Sequence, residues 1–106
     1  MSISNREVIK AFCNLEIARN RNLSTIRLSN GVALYSYDTA IAFVFSDRTV
    51  ILDNQKWSKT TSRHQGLVRQ LACHDIIEVK HDQLYNKLVH PPSNIKTREE
   101  FLASLL

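Results

Sequence analysis

Apolar residues at Val8, Ala11, Phe12, Leu15 and Ala18 fall three or four positions apart, and the charged Arg6, Lys10 and Glu16 lie off that face. That spacing predicts an amphipathic helix of about 15 residues. Ser4-Asn5-Arg6-Glu7 has the form of a capping box at its start, and Asn20-Arg21-Asn22 is expected to end it. The pattern then shortens. Ser24 to Leu28 and Val32 to Tyr37 read as strands joined at Asn30-Gly31, whose residues tolerate the positive φ of a tight hairpin. Asp38-Thr39 reverses the chain again, and Ala40 to Phe45, apolar on both faces, predicts a central strand covered on each side. Ser46-Asp47-Arg48 turns into Thr49 to Leu52, and Asp53-Asn54-Gln55 turns once more before Trp57.

From Thr60 the period lengthens. His64, Leu67, Val68, Leu71 and Ala72 share a helical stripe, with Thr60, Thr61 or Ser62 as N-cap and Gly66 weakening the interior. Ile76 to Val79 can form a short strand, and Asp82 to Val89 a short helix broken by Pro91-Pro92. Thr97-Arg98-Glu99-Glu100 is a second capping box, opening a helix with Phe101, Leu102, Leu105 and Leu106 on its apolar side. The expected fold class is α+β: an N-terminal helix, an antiparallel β meander of three to five strands, then helices packed on one face, all in a single domain over residues 1–106.

Composition agrees with one folded domain. The chain has 106 residues, 43% hydrophobic and 23% charged, with 2 Gly and 2 Pro, which excludes bulk disorder and low-complexity sequence. Cys13 and Cys73 fit no metal or redox spacing and are expected as buried thiols in a reducing compartment. No secretory leader or bilayer-spanning run is evident, so the expectation is a soluble cytoplasmic protein without a membrane role.

Charge adds a second layer. The formal net charge is +4, but residues 1–27 carry +3 and residues 48–70 carry +4, offset elsewhere. A fold that joins these segments would attract phosphate backbones, or an acidic surface or nucleic-acid channel of another protein. Trp57-Ser58-Lys59-Thr60-Thr61-Ser62-Arg63-His64-Gln65 concentrates hydroxyls, cations and an imidazole at a helix start, where backbone N–H groups favour anions. Trp57 could offer a stacking face for a base. The plainer reading is that these hydroxyls cap the helix and that His64 is a hydrogen-bonded edge residue of the core.

Three stretches also carry a resemblance. Ser36-Tyr37-Asp38-Thr39-Ala40-Ile41-Ala42, followed by Trp57 to Gln65 and preceded by Ala18-Arg19-Asn20-Arg21-Asn22-Leu23, resembles a family of small uncharacterised proteins from phage, plasmid and archaeal genomes. The family pattern reads Ser-Tyr-x-Thr-x-Ile-Ala, then an aromatic, Ser, a variable residue and Thr-Thr-Ser-Lys/Arg-His. Asp38 stands where the pattern has Gly, and Trp57 where it has Tyr. The resemblance implies an origin in mobile elements and brings no established activity.

The function expected from these features is a non-enzymatic accessory domain that binds nucleic acid. Arg19, Arg21, Lys56, Lys59, Arg63 and Arg69 would meet phosphates, with Trp57, Thr60, Thr61, Ser62 and His64 around the helix start. The alternative is a small viral inhibitor that blocks a host defence protein, such as an anti-CRISPR, using its charge or the apolar Phe101, Leu102, Leu105 and Leu106. A third reading, a metal-dependent phosphodiesterase, would draw on His64, His74, Asp75, His81 or Asp82, whose two His-Asp dipeptides read more simply as surface occurrences. No catalytic residue, metal or cofactor is assigned.

Overall fold

In the computed structural model, which describes residues 3–72, 75–90 and 94–105, the chain begins with helix α1, Asn5–Cys13. The capping box forms as expected: Ser4 Oγ accepts from the Glu7 N–H at 3.1 Å, and the Glu7 carboxylate reaches back to the Ser4 N–H. The helix is shorter than its apolar spacing predicts. Leu15 turns into the left-handed region at φ 62, and Glu16 N–H donates to the Ala11 carbonyl at 2.8 Å while Leu15 N–H donates to the Phe12 carbonyl. This is a Schellman stop built without glycine. Residues 16–22 then run back along the sheet, where the Thr25 hydroxyl accepts from the Ala18 N–H at 2.7 Å and donates to the Ala18 carbonyl at 2.9 Å.

Five strands follow in sheet order: β1 Leu23–Leu28, β2 Gly31–Ser36, β3 Thr39–Val44, β4 Val50–Asp53 and β5 Ile76–Val79. The first four form the expected antiparallel meander, with β3 at the centre and fully covered from Ala40 onward. The β1–β2 loop is Ser29-Asn30, one residue earlier than expected, because Leu28 pairs with Gly31. Gly31 has φ 155, and a Cβ there would lie 2.1 Å from the Val44 carbonyl oxygen, so the strand needs glycine for close approach. Asn30 is buried instead and donates to the Ile95 carbonyl at 2.9 Å.

β5 is parallel to β4, which departs from a pure meander. The reason is the connection: helix α2, Lys59–Leu71, crosses over between the two strands and returns the chain to the same end of the sheet. The N-cap is Ser58, ahead of Thr60, Thr61 and Ser62, and its Oγ accepts from the Thr61 N–H at 3.3 Å. After β5 come α3, His81–Leu84, a π-helical turn, Tyr85–Val89, and α4, Arg98–Ser104, where Thr97 Oγ1 accepts from the Glu100 N–H as expected but Glu100 reaches the Lys96 N–H rather than closing the capping box on Thr97.

The helices cover both sheet faces rather than one. Val32, Leu34, Ala42, Val44, Val50 and Leu52 face α1 and α2, burying Val8, Ile9, Phe12 and Val68. The alternate residues Ala33, Ala40, Phe43, Phe45 and Ile51 face Leu84, Leu88, Val89 and Phe101 from the C-terminal elements. Strands apolar on both faces require such cover, since either face left bare would hold its side chains in water. Phe101 belongs to this second core, Leu105 packs against it, and Leu102 is exposed. Cys13 is half-buried against the first core. Cys73, His74, Pro91-Pro92 and Leu106 lie outside the described residues. No helix among the described residues is long and apolar enough to cross a membrane.

Candidate functional site

The residues of the Thr-Thr-Ser-Arg-His run and the Ser-Tyr stretch meet where α1, α2 and the end of β2 join. Asn20 orders this junction. Its Oδ1 accepts from the backbone N–H groups of Asn22 and Leu23, both at 2.8 Å. Its Nδ2 is thereby left to donate to Asn5 Oδ1 at 2.8 Å and to the Ile3 carbonyl at 3.0 Å. Asn5 must then present its own Nδ2 to His64 Nε2, 3.4 Å away, which makes Nε2 the acceptor. The imidazole therefore carries its proton on Nδ1 and donates to Ser36 Oγ at 2.7 Å. Ser36 in turn contacts Thr61 Oγ1 at 3.1 Å.

Burial enforces this polarity. His64 is 2% exposed and Ser36 1%. Desolvation, with the nearby Arg63 charge adding to it, holds the His64 imidazole below its ordinary pKa and so neutral. A serine beside a histidine has the composition of a nucleophile with its base, but here the imidazole donates to the hydroxyl, and the free lone pair faces Asn5. The base that a serine nucleophile needs is pointed away from it. The arrangement ties three elements together through satisfied buried polar groups.

Around this junction lies a cationic surface. Arg19 and Arg21 flank Asn20, Arg63 precedes His64, and Lys59 lies one turn earlier on α2; all four are exposed. None of them meets an acidic partner among the described residues. Arg6, next to Asn5, reaches Gln70 of α2 at 3.4 Å and so belongs to the same face. Thr60 is exposed and Ser62 half-buried, whereas Thr61 is buried toward Ser36. Tyr37 is 52% exposed beside His64, with ring centroids 6.2 Å apart, and its hydroxyl donates to Asn22 Oδ1 at 3.3 Å. Neither charge nor periodicity in the sequence marked Tyr37, Asn5 or Asn22 as part of this face.

The remaining expected residues sit elsewhere. Arg69 pairs with Glu78 of β5 at 2.9 Å, and this contact draws the Glu78 carboxyl below its ordinary pKa. Lys56 is exposed in the β4–α2 loop. Trp57 is half-buried, donating its indole N–H to Asp53 Oδ2 at 3.0 Å with its ring against His81 at 5.0 Å. Asp53 is fully buried and also accepts from the Gln55 N–H at 2.8 Å, while Gln65 Nε2 donates to its backbone carbonyl. His81 Nδ1 lies 2.8 Å from Asp53 Oδ2. This second cluster braces the carboxyl ends of β4 and β5.

Among the described residues, those considered for a metal site are not gathered, and His74 lies outside them. His64 lies in the first junction, His81 in the second, Asp75 is 3.7 Å from Arg98, and Asp82 is exposed. Among the described residues no group of three or more His, Cys, Asp or Glu side chains is placed to hold a metal ion.

The fold and the site together define a small α+β domain with a polar interhelical junction and a basic face. Residues 5–84 match a family of unknown function, DUF8033, and the chain belongs to that family. The matched span contains both polar clusters and ends with α3. No curated protein and no solved structure matches the chain.

Proposed function

We propose that this protein is a non-enzymatic binding domain that engages nucleic acid through the face where α1, α2 and the segment before β1 meet. The observation that carries this reading is the set of exposed cations, Arg19, Arg21, Lys59 and Arg63, on the segments of a hydrogen-bonded junction and without acidic partners among the described residues. Cations with no internal partner are available to release counterions from a phosphate backbone. Thr60 and Ser62 add neutral donors at the start of α2, and Arg6 extends the patch along α1. Arg69 contributes less, since its charge is shared with Glu78. The resemblance to phage, plasmid and archaeal proteins fits an accessory protein of a mobile element, working in the cytoplasm of its host.

The test is binding to labelled single- and double-stranded DNA and RNA at about 50 and about 300 mM salt. Four phosphate contacts predict a loss of roughly a hundredfold or more across that range. Lys59→Ala/Arg63→Ala should weaken binding at the lower salt. Weak binding that is flat with salt would contradict the proposal. Capture of a host protein that survives nuclease treatment would then turn the same charged face toward an acidic channel, as an inhibitor of a defence protein would use it.

A further inference from the structure

We propose that Tyr37 is a stacking platform for an unpaired nucleobase, so that the basic face selects single-stranded over double-stranded nucleic acid; this rests on the nucleic-acid reading above. Tyr37 is the first residue of the two-residue loop between β2 and β3, and its φ is 54. A left-handed backbone is strained for a bulky side chain, and glycine or asparagine would relieve that strain. The ring gains little packing in exchange, being 52% exposed. Two unfavourable choices therefore coincide at one position, the usual mark of a residue kept for what it contacts outside the fold.

The ring is also held in place before any ligand arrives. Its hydroxyl donates to Asn22 Oδ1 at 3.3 Å, its backbone N–H donates to the Asn22 carbonyl at 2.9 Å, and its ring lies against His64. A side chain already ordered loses less entropy on binding. Both anchors adjoin cations in the chain: Asn22 follows Arg21, and His64 follows Arg63, whose charge already reaches the imidazole. A base on the ring would thus have Arg21 and Arg63 one residue from the ring's two anchors to meet its neighbouring phosphates.

No other Tyr, Trp or Phe side chain among the described residues is comparably exposed; Ile3, Ile17, Ile26 and Leu102, the other exposed large apolar residues, have no π face. In a duplex the faces of the bases are covered by their neighbours, so only an unpaired base can stack.

The experiment compares a labelled single-stranded oligonucleotide of about 12 nucleotides, as DNA and as RNA, with the matching duplex at low salt. Wild type, Tyr37→Ala, Tyr37→Asn and Arg21→Ala/Arg63→Ala are titrated against each. Tyr37→Asn removes the ring while suiting the left-handed backbone, so it separates loss of stacking from loss of folding. Single strands should bind wild type more tightly than the duplex. Both tyrosine variants should weaken single-strand binding by about 5- to 150-fold and duplex binding by less than about twofold. Equal weakening of both forms, or none, would overturn the inference. Should the arginine variant lose binding while the tyrosine variants keep it, the stacking role fails and the nucleic-acid reading stands. If wild type binds no nucleic acid, both fail together.

Discussion

His64 keeps its place because its two ring nitrogens meet partners of opposite character, a serine oxygen at Nδ1 and an asparagine N–H at Nε2. Protonation would put a second N–H against the Asn5 amide and add a charge to a buried site. Since the folded-state pKa lies below the unfolded one, the unfolded chain binds the proton more readily. The stabilisation is fully present above the ordinary imidazole value of about 6.5 and is lost as pH falls through the folded value. Urea unfolding of wild type and His64→Gln at pH 7.5 and pH 5.5 checks this. The variant should be less stable by about 1–3 kcal/mol at the higher pH, for the buried partners it leaves unpaired. The gap should narrow at the lower pH, and a gap that stays constant would show that the imidazole does not titrate with unfolding. At this scale the sequence was half legible. Ser36, Thr61 and His64 stood out as a motif, and the plainer role of His64, a hydrogen-bonded edge residue, is the one its contacts describe. Asn5 and Asn20 read only as a helix start and a helix stop, because nothing local shows that two asparagines 15 positions apart share a hydrogen bond.

Among the elements, α2 links both polar clusters: His64 on one side meets Ser36 and Asn5, and Gln65 meets the Asp53 and Gln55 carbonyls. Its weakness is Gly66, which is exposed and has open space where a Cβ would stand. Gly66→Ala is expected to stabilise the protein by about 1 kcal/mol, seen as a higher urea midpoint with an unchanged slope. A destabilised variant would mean that the helix needs the glycine for a contact of the folded protein. The existence of α1, the meander, the central β3 and the Thr97-capped α4 was legible, because periodicity and capping chemistry are local. The rest depended on distant partners. Leu15 ends α1 in a conformation that leucine seldom adopts, and Arg27 Nη2 donates to the Leu15 carbonyl at 2.7 Å from β1. The parallel pairing of β5 and the division of helices between two faces follow from how the crossover packs, which no single segment records.

On the scale of the whole molecule, the fold brings together positive segments that the sequence holds far apart. The segments 19–21 and 59–64 are tied to each other through α1, because Asn20 bonds to Asn5 and Asn5 to His64. The buried junction is therefore the scaffold of the nearby surface charge, and the expected binding residues are spread over that junction, the Asp53 cluster, the Arg69–Glu78 pair and the β4–α2 loop. Arg19, Arg21, Lys59, Thr60 and Arg63 stay around the first, while Trp57 and Arg69 are engaged with Asp53, His81 and Glu78. Composition made the charge legible, but not which cations would have no acidic partner among the described residues. The measurement that addresses the central claim most directly is the slope of log affinity against log salt for a single-stranded oligonucleotide, in wild type and in Arg21→Ala/Arg63→Ala. Removing two cations that each neutralise a phosphate should flatten the slope by about 1.4 while the variant keeps its fold by circular dichroism. An unchanged slope in a folded variant would contradict the account, because the cations held at the junction would then not be meeting phosphate.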